Sequence, residues 1–271
     1  MLTRVITAVV GILAVIALVT AGGFFFTAAI LVVAALSWME YAKMLRPLVP
    51  VYTVPALLAL LVILLAGASS SLSLVAAAMM LTFVLLLFMI LVIGREHMAS
   101  LFYTVFGVFY FGIGYGTLIY LRGSTELLPP GAASIEGGLF LLWFALIGTW
   151  ASDSFAYLVG KRFGKRKMAP HISPNKTVEG LLGGIAGCVI LCLIYAAVFQ
   201  YPLLHAFLLS LLISIAAPMG DLFESYVKRV CDVKDSSHIL PGHGGMMDRF
   251  DSLLFVAPIM TALLLFLRHF E

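Results

Sequence analysis

A charge-rich stretch at positions 225–251 interrupts a chain that is otherwise strongly apolar. Of the 271 residues, 63% are hydrophobic and only 11% are charged. Charged residues beside segments apolar enough to span a membrane are costly, and they commonly mark a functional site. We therefore expect the chemistry of the chain to lie here. The charged residues of the stretch are Lys228, Arg229, Asp232, Lys234, Asp235, Asp248, Arg249 and Asp251.

Three carboxylates in or just before this stretch have the chemistry of magnesium ligands. Asp221 lies near the end of an apolar segment, and Asp248 and Asp251 are three positions apart. On one turn of helix the latter two would share a face. Carboxylate oxygens that converge near the membrane surface suit a hard cation such as Mg²⁺. The alternative is an ion-pair network with Lys228 and Arg229.

Two further segments could bind phosphate. Ser173, Lys176 and Thr177 stand at the start of an apolar helix, where backbone N–H groups and a nearby cation form a natural phosphate site. The glycine-rich run 242–245 leaves bare backbone that can approach phosphate closely, although linkers often have the same composition. Within this run, His243 either caps a helix or binds phosphate.

The charge-rich stretch resembles the signature of a known family. It reads Ser-x-x-Lys-Arg, four residues, Lys-Asp-x-Ser, two residues, and Leu-Pro-x-His-Gly-Gly-Met-x-Asp-Arg-Phe-Asp. This pattern is similar to that of the phosphatidate cytidylyltransferases, also called CDP-diglyceride synthases. A second motif of that family, Asp-x-x-Ala-Tyr-x-x-Gly followed by Ser-Pro-x-Lys-Thr-x-x-Gly, is matched from Asp153 to Gly180. Asn175 stands where some relatives carry lysine, so we assign phosphate binding to Lys176.

The resemblance implies an enzyme that converts CTP and phosphatidic acid into CDP-diacylglycerol and pyrophosphate. It also implies Mg²⁺ at Asp221, Asp248 and Asp251, with room for a second cation at the same carboxylates. The residues with an implied catalytic role are Asp221, Lys228, Arg229, Asp248, Arg249 and Asp251. Those with an implied role in substrate binding are Ser173, Lys176, Thr177, Lys234, His243, Gly244 and Gly245.

The elements that must position these residues are apolar helices. Apolar runs of about 20 residues recur along the chain, as expected of membrane spans, and predict an all-α integral membrane protein, a bundle of about nine transmembrane helices. The first run could be read as a signal peptide, but no A-x-A cleavage site precedes the second. The predicted spans are 1–19, 23–39, 54–66, 72–93, 101–121, 139–159, 178–199, 203–223 and 252–267.

Two spans carry residues that do not suit a membrane helix. Pro218 and Gly220 precede Asp221 in the eighth span, and we expect them to loosen the helix and expose carbonyl groups beside this carboxylate. Asp153 lies inside the sixth span, where a lone carboxylate is costly. It should therefore pair with a cation or face a polar cavity, a structural ion pair being the alternative.

The distribution of basic residues predicts the orientation of the chain. With nine spans, all of the 16 Lys and Arg residues except Arg122 and Arg268 fall on the side of the N-terminus. Cytoplasmic segments carry the positive excess, so we expect the N-terminus in the cytosol and the C-terminus outside. An alternative for the basic residues at 161–167 is that they act as topology signals and have no further role. The expected location is the inner (plasma) membrane.

The predicted organisation is a single membrane domain over 1–271. Its N-terminal helices occupy 1–135, and its catalytic half, 136–271, contains the cytosolic segments 160–177 and 225–251. We expect CTP and membrane-embedded phosphatidic acid as partners and no nucleic acid, because no basic surface with interleaved aromatic residues is evident. The oligomeric state is open, with a homodimer as one alternative.

Two other functions fit the sequence less well. A transporter fits the many helices and Asp153, but transporters place charge near mid-span and are built from repeated halves, whereas most charge here lies in two segments. CDP-alcohol phosphotransferases carry D-G-x-x-A-R followed by further aspartates, and the sequence from Asp248 to Asp251 does not fit that pattern.

Overall fold

All nine predicted spans are helical in the computed structural model, which describes residues 2–93, 97–124, 127–128, 135–242 and 244–269. Within this part of the chain, seven helices are long and apolar enough to cross a membrane, while α3 and the apolar part of α1 are shorter. The prediction of an all-α, multi-pass membrane protein is confirmed. The helices are α1 Leu2–Ala21, α2 Gly23–Leu45, α3 Thr53–Ala68, α4 Leu72–Ile93, α5 Met98–Gly123, α6 Gly137–Phe163, α7 Val178–Val198, α8 Leu203–Val230, α9 Met247–Phe250 and α10 Leu253–His269.

A short β-hairpin between α6 and α7 was not predicted. Strands β1, Lys167–Ala169, and β2, Ser173–Thr177, pair in antiparallel fashion, and the turn between them is closed by the Ile172 N–H, which donates to the Ala169 carbonyl at 3.2 Å. The Thr177 side chain then caps α7 by accepting from the Gly180 N–H at 3.1 Å, as Thr does at many helix starts. The hairpin therefore fixes Lys176 one residue before the cap.

The chain divides into two compact units. The first consists of Met1–Gly123 and Val230–Phe250, and the second of Ser124–Arg229 and Asp251–Glu271. In the first unit α5 packs closely on its neighbours through glycines. A Cβ on Gly107 would collide with the rings of Trp38 and Tyr41 of α2.

Helices α6 and α7 of the second unit pack through glycines spaced four residues apart on α7. A Cβ on Gly184 would lie 2.8 Å from the Ser152 carbonyl oxygen, and one on Gly187 would collide with the Phe155 ring. Small residues at this spacing let membrane helices approach at backbone distance. This contact sets the position of the middle of α6, where Asp153 lies. The glycines with such a contact to α6 are Gly180, Gly183, Gly184 and Gly187.

Two expectations about local helix geometry were wrong. Helix α8 is not interrupted at Pro218 and Gly220 but continues to Val230, although Pro218 has no N–H to donate within the helix. Gly220 instead allows a close approach, since a Cβ there would collide with the Asp251 carbonyl. Helix α9 ends at Phe250, so Asp251 follows it in a turn and does not share a helical turn with Asp248.

The α6–α7 contact predicts that Gly184→Ala destabilises the protein, because the new Cβ would press on the Ser152 carbonyl. Overpacking of this kind typically costs about 1–3 kcal/mol. Gly11→Ala in α1 is the matched control, since nothing lies within 4 Å of a Cβ there and the change removes backbone entropy from the unfolded chain. Thermal unfolding in detergent should show a lower Tm for Gly184→Ala only. Equal Tm values for the two variants would contradict the packing account.

Candidate active site

A cavity of about 570 Å³ opens in the second unit between α6, the β-hairpin and the start of α7. Apolar and small residues form much of its wall, together with Tyr157 and Asn175. Asp153 lines this cavity, as expected for a carboxylate inside an apolar span. Its charged lining residues are Asp153, Lys161, Lys167 and Lys176. Cations that converge on one concave, partly apolar site form a natural receptor for a phosphorylated ligand.

Lys176 and Asp221, which were predicted separately, form an ion pair. The Lys176 Nζ lies 2.7 Å from the Asp221 Oδ2, and the two side chains are 23% and 34% exposed. On the other side of the carboxylate, Ser225 Oγ donates to Asp221 Oδ1 at 3.3 Å. The contact joins β2 to α8 at the edge of the cavity and holds the Lys176 side chain in place there.

Asp251 lies close to the same group of charges. Its carboxyl interacts electrostatically with Asp221, Asp153 and Lys228, and its Oδ1 accepts from the Ser252 N–H at 2.6 Å. The approach of Gly220 to the Asp251 backbone explains this placement, because α8 could not come so near with a side chain there. The second unit therefore brings Asp153, Asp221 and Asp251 together near Lys176 and Lys228.

The remaining predicted residues of the second unit take part in local structure. Lys228 pairs with the buried carboxylate of Glu224, with 2.6 Å between Nζ and Oε2. Arg229 is exposed, and its Nε donates to the Ile172 carbonyl at 3.4 Å. Thr177 is the cap of α7, and Ser173 is half-buried in β2. These contacts stabilise the hairpin, which carries Lys176, and the last turns of α8, which follow Asp221.

Asp248, in the first unit, is held by three hydrogen bonds to one oxygen. Its Oδ2 accepts from the Gly245 N–H at 2.7 Å, from the Ser236 N–H at 3.1 Å and from the Ser236 Oγ at 3.0 Å. Lys234 and Arg249, also predicted from the motif, expose their side chains to the surface of this unit. The carboxylate orientation is thus fixed by the preceding loop.

The glycines of this loop are required by its backbone conformation and close packing. Gly244 has φ +81°, a left-handed conformation, and a Cβ there would lie 2.6 Å from Asp248 Oδ2. A Cβ on Gly245 would collide with Ser236 Oγ and lie 2.6 Å from the Glu40 Oε2. Their predicted role in binding phosphate stays a prediction. His243 lies outside the described residues, as does Arg95, one of the basic residues on the predicted cytosolic side.

The aspartates of the second unit fit Mg²⁺ as a pair. Among the described residues, no three His, Cys, Asp or Glu side chains are arranged to hold a metal ion by themselves. Magnesium sites in nucleotide enzymes, however, commonly use one or two carboxylates and complete the coordination with substrate phosphates and water. Asp221 and Asp251 offer hard oxygen donors of this kind beside the lysine-lined cavity.

Comparison with known proteins agrees with this chemistry. The model of the cytidylyltransferase family matches residues 2–267. The chain belongs to the cytidylyltransferase family.

Three relatives of this family member are named phosphatidate cytidylyltransferase. The protein of Bacillus subtilis (strain 168) is 48% identical over 129 residues, which cover 47% of this chain and 48% of that protein. The proteins of Staphylococcus aureus (strain COL) and Staphylococcus haemolyticus (strain JCSC1435) are 42% identical over 130 residues and 41% identical over 135 residues. These matches cover 47% and 49% of this chain, and 50% and 52% of those proteins. The chain thus spans about half the length of the curated relatives it matches.

Sequence reasoning missed several polar residues of this family member. Lys161 and Lys167 were read as possible topology signals, yet both line the cavity. Glu40, which follows the second predicted span, was given no functional role, yet it is 2% exposed and accepts four hydrogen bonds. A signal for Glu40 was present, because it is the first acidic residue in a long apolar sequence, and such residues are costly without a partner.

Proposed function

We propose that this cytidylyltransferase transfers the cytidylyl group of CTP to phosphatidic acid, giving CDP-diacylglycerol and pyrophosphate, in phospholipid biosynthesis. The observation that carries the proposal is the 48% identity to a protein named phosphatidate cytidylyltransferase, over a segment of 129 residues. The lysine-lined cavity at Lys176 and Asp221 supports it independently, since both substrates present phosphate groups.

The proposed step is an in-line substitution at phosphorus. A phosphate oxygen of phosphatidic acid attacks the α-phosphorus of CTP, a new P–O bond forms, and the bond from the α-phosphorus to the bridging oxygen breaks. Pyrophosphate leaves with that electron pair. Such transfers depend mostly on positioning and on neutralising charge, with little need for a covalent enzyme intermediate.

The cations of the cavity bind and neutralise the phosphates in this proposal. Lys176 has its ammonium group oriented by Asp221, while Lys161 and Lys167 add charge from α6 and β1. Charge-assisted contacts to phosphate are stronger than neutral hydrogen bonds. Lys228, Arg229, Lys234 and Arg249 keep their predicted roles in offsetting substrate charge, and His243, Gly244, Gly245, Ser173 and Thr177 their predicted roles in substrate binding.

Mg²⁺ is the proposed cofactor, with Asp221 and Asp251 as the pair that would hold it and Asp248 as the further predicted ligand. When bound, such an ion neutralises phosphate oxygens and orients the reacting phosphoryl group. A second cation at the carboxylates stays a prediction, as does a homodimer.

The proposed function predicts Mg²⁺-dependent release of pyrophosphate by the purified protein when CTP and phosphatidic acid are both present. Asp221→Asn, Asp251→Asn and Asp248→Asn should each lower the rate by at least about 100-fold, since each loses a carboxylate charge needed near the phosphates. Asp232→Asn is the control, because Asp232 is exposed and its φ of 54° suits asparagine equally. Normal rates in all four variants would rule out the metal assignment. Absence of pyrophosphate release by the wild type would rule out the reaction.

A second prediction separates the cavity lysines from topology signals. Lys161 and Arg162 are adjacent and exposed, and each lies 5.7 Å over an aromatic ring, but only Lys161 lines the cavity. Lys161→Ala and Lys176→Ala should raise the KM for CTP or lower kcat by about 10-fold or more, the value of one charge-assisted contact. Arg162→Ala should change neither. Similar kinetics for Lys161→Ala and Arg162→Ala would return Lys161 to the role of a topology signal.

We further propose that the protein lies in the inner (plasma) membrane with its N-terminus and its basic segments in the cytosol and its C-terminus outside. The positive excess of the intervening segments supports this orientation. It also brings the lysine-lined hairpin to the compartment that contains nucleotides.

Cysteine labelling tests the orientation. Lys165→Cys and His238→Cys should react with a membrane-impermeant maleimide only from the cytosolic side, and Ser69→Cys only from outside, since all three positions are exposed. Background should be low, because Cys188 and Cys192 are buried and burial raises the pKa of the Cys231 thiol, which lowers its thiolate fraction. Labelling of Lys165→Cys and His238→Cys from outside would overturn the proposed orientation.

A further inference from the structure

Glu40 is a buried carboxylate whose hydrogen-bonding capacity is filled from a distant part of the first unit. It lies on α2 and is 2% exposed. Its Oε1 accepts from the Met246 N–H at 2.8 Å and the Ser237 Oγ at 2.6 Å. Its Oε2 accepts from the Met247 N–H at 2.8 Å and the Ser236 Oγ at 2.9 Å. A buried carboxylate is stable only with such partners, so α2 and the segment 236–247 are tied together.

The hydroxyl of Ser236 connects Glu40 to Asp248. Ser236 Oγ lies 2.9 Å from Glu40 Oε2 and 3.0 Å from Asp248 Oδ2, yet a hydroxyl has one hydrogen to donate. Both oxygens also accept a backbone N–H, from Met247 and from Gly245, so each stays in place whichever carboxylate receives the hydroxyl hydrogen. The two carboxylates are therefore held around one shared donor.

Gly245 makes this arrangement possible. A Cβ at this position would collide with Ser236 Oγ and would lie 2.6 Å from Glu40 Oε2. The Gly-Gly pair in the motif thus allows the loop to close over a carboxylate that comes from α2. Glu40 itself lies on α2, outside the charge-rich stretch at 225–251.

We propose that Glu40 is a positioning residue for the reaction. Its carboxylate fixes the segment 236–247 on α2 and, through the Ser236 hydroxyl, sets the orientation of the Asp248 carboxylate. The catalytic part of this inference rests on the proposed function, because it takes Asp248 as a residue of the reaction. The structural part rests on the hydrogen bonds alone.

Glu40→Gln tests the carboxylate at nearly constant shape. Each carboxylate oxygen accepts one backbone N–H, so the amide nitrogen of glutamine must face either the Met246 N–H or the Met247 N–H, in either orientation of the amide. One of these donors is then left without its acceptor. We expect hydrogen exchange at Met246 or Met247 to become at least about 10-fold faster, the value of one charge-assisted hydrogen bond, and kcat to fall.

Ser236→Ala and Ser237→Ala form the matched pair that separates positioning from stability. Each removes one hydrogen bond to Glu40, but only Ser236→Ala removes a contact of Asp248. We expect Ser236→Ala to lower kcat about 10-fold with little change in the KM for CTP, and Ser237→Ala to lower it by less than about threefold, at similar Tm values. Exchange at the Gly245 N–H should become faster in Ser236→Ala only, since this amide donates to Asp248.

The outcomes distinguish this inference from the proposed function. Equal kcat and equal Gly245 exchange in the two serine variants would overturn the coupling through Ser236. A Glu40→Gln protein with wild-type kcat and wild-type exchange would overturn the role of Glu40. If the wild type transferred no cytidylyl group, the proposed function would fail, and hydrogen exchange in the three variants would still decide whether Glu40 and Ser236 position Asp248.

Discussion

A charged side chain inside an apolar membrane protein is stable only with a hydrogen-bonding or oppositely charged partner. Most of the buried hydrogen bonds and ion pairs in the described residues follow from this constraint. Removing an ionised group from water costs several kcal/mol unless hydrogen bonds or an opposite charge replace the water. The buried Arg122 donates to the Val19 and Thr20 carbonyls at the end of α1. The buried Glu224 pairs with Lys228, and Glu40 accepts four hydrogen bonds. The contacts of Arg122 and Glu40 each fix one segment of chain against another, whereas the ion pair of Glu224 and Lys228 lies within α8.

Glycines allow the close helix packing that these interactions also require, because charges on separate elements must come near enough to interact. The α6–α7 contact brings the two helices together at backbone distance, and Gly220 lets α8 reach the Asp251 backbone. In each case a Cβ would occupy the space that the neighbouring chain uses. The ion pair of Lys176 and Asp221 and the electrostatic interaction of Asp221 and Asp251 therefore depend on residues that carry no charge themselves.

The sequence alone predicted the apolar helices well, because hydrophobic length is a strong and local signal. It also singled out Lys176, Asp221 and Asp251, because charge in an apolar context is rare, and the structure brings these three residues near one another. Their role in the reaction stays a prediction. It did not predict the β-hairpin, whose strands are too short to show an alternating pattern. It was wrong about Pro218, because surrounding helices can support a proline that an isolated helix would not tolerate. Glu40 carried a sequence signal, as the first acidic residue after a long apolar sequence, but its hydrogen-bond partners could not be predicted. Its partners lie about 200 positions further along the chain, and no local pattern records such a contact.

In the proposed reaction, the α-phosphoryl group of CTP, and no other, is transferred to a lipid phosphate. The most direct measurement incubates the purified protein with phosphatidic acid and CTP labelled either at the α- or at the γ-phosphorus, and then separates lipid from water-soluble products. The proposed function predicts that α-label moves into the lipid fraction and that γ-label remains in the aqueous phase as pyrophosphate. Transfer of γ-label to lipid would indicate a kinase reaction and contradict the claim, as would the absence of any label in the lipid.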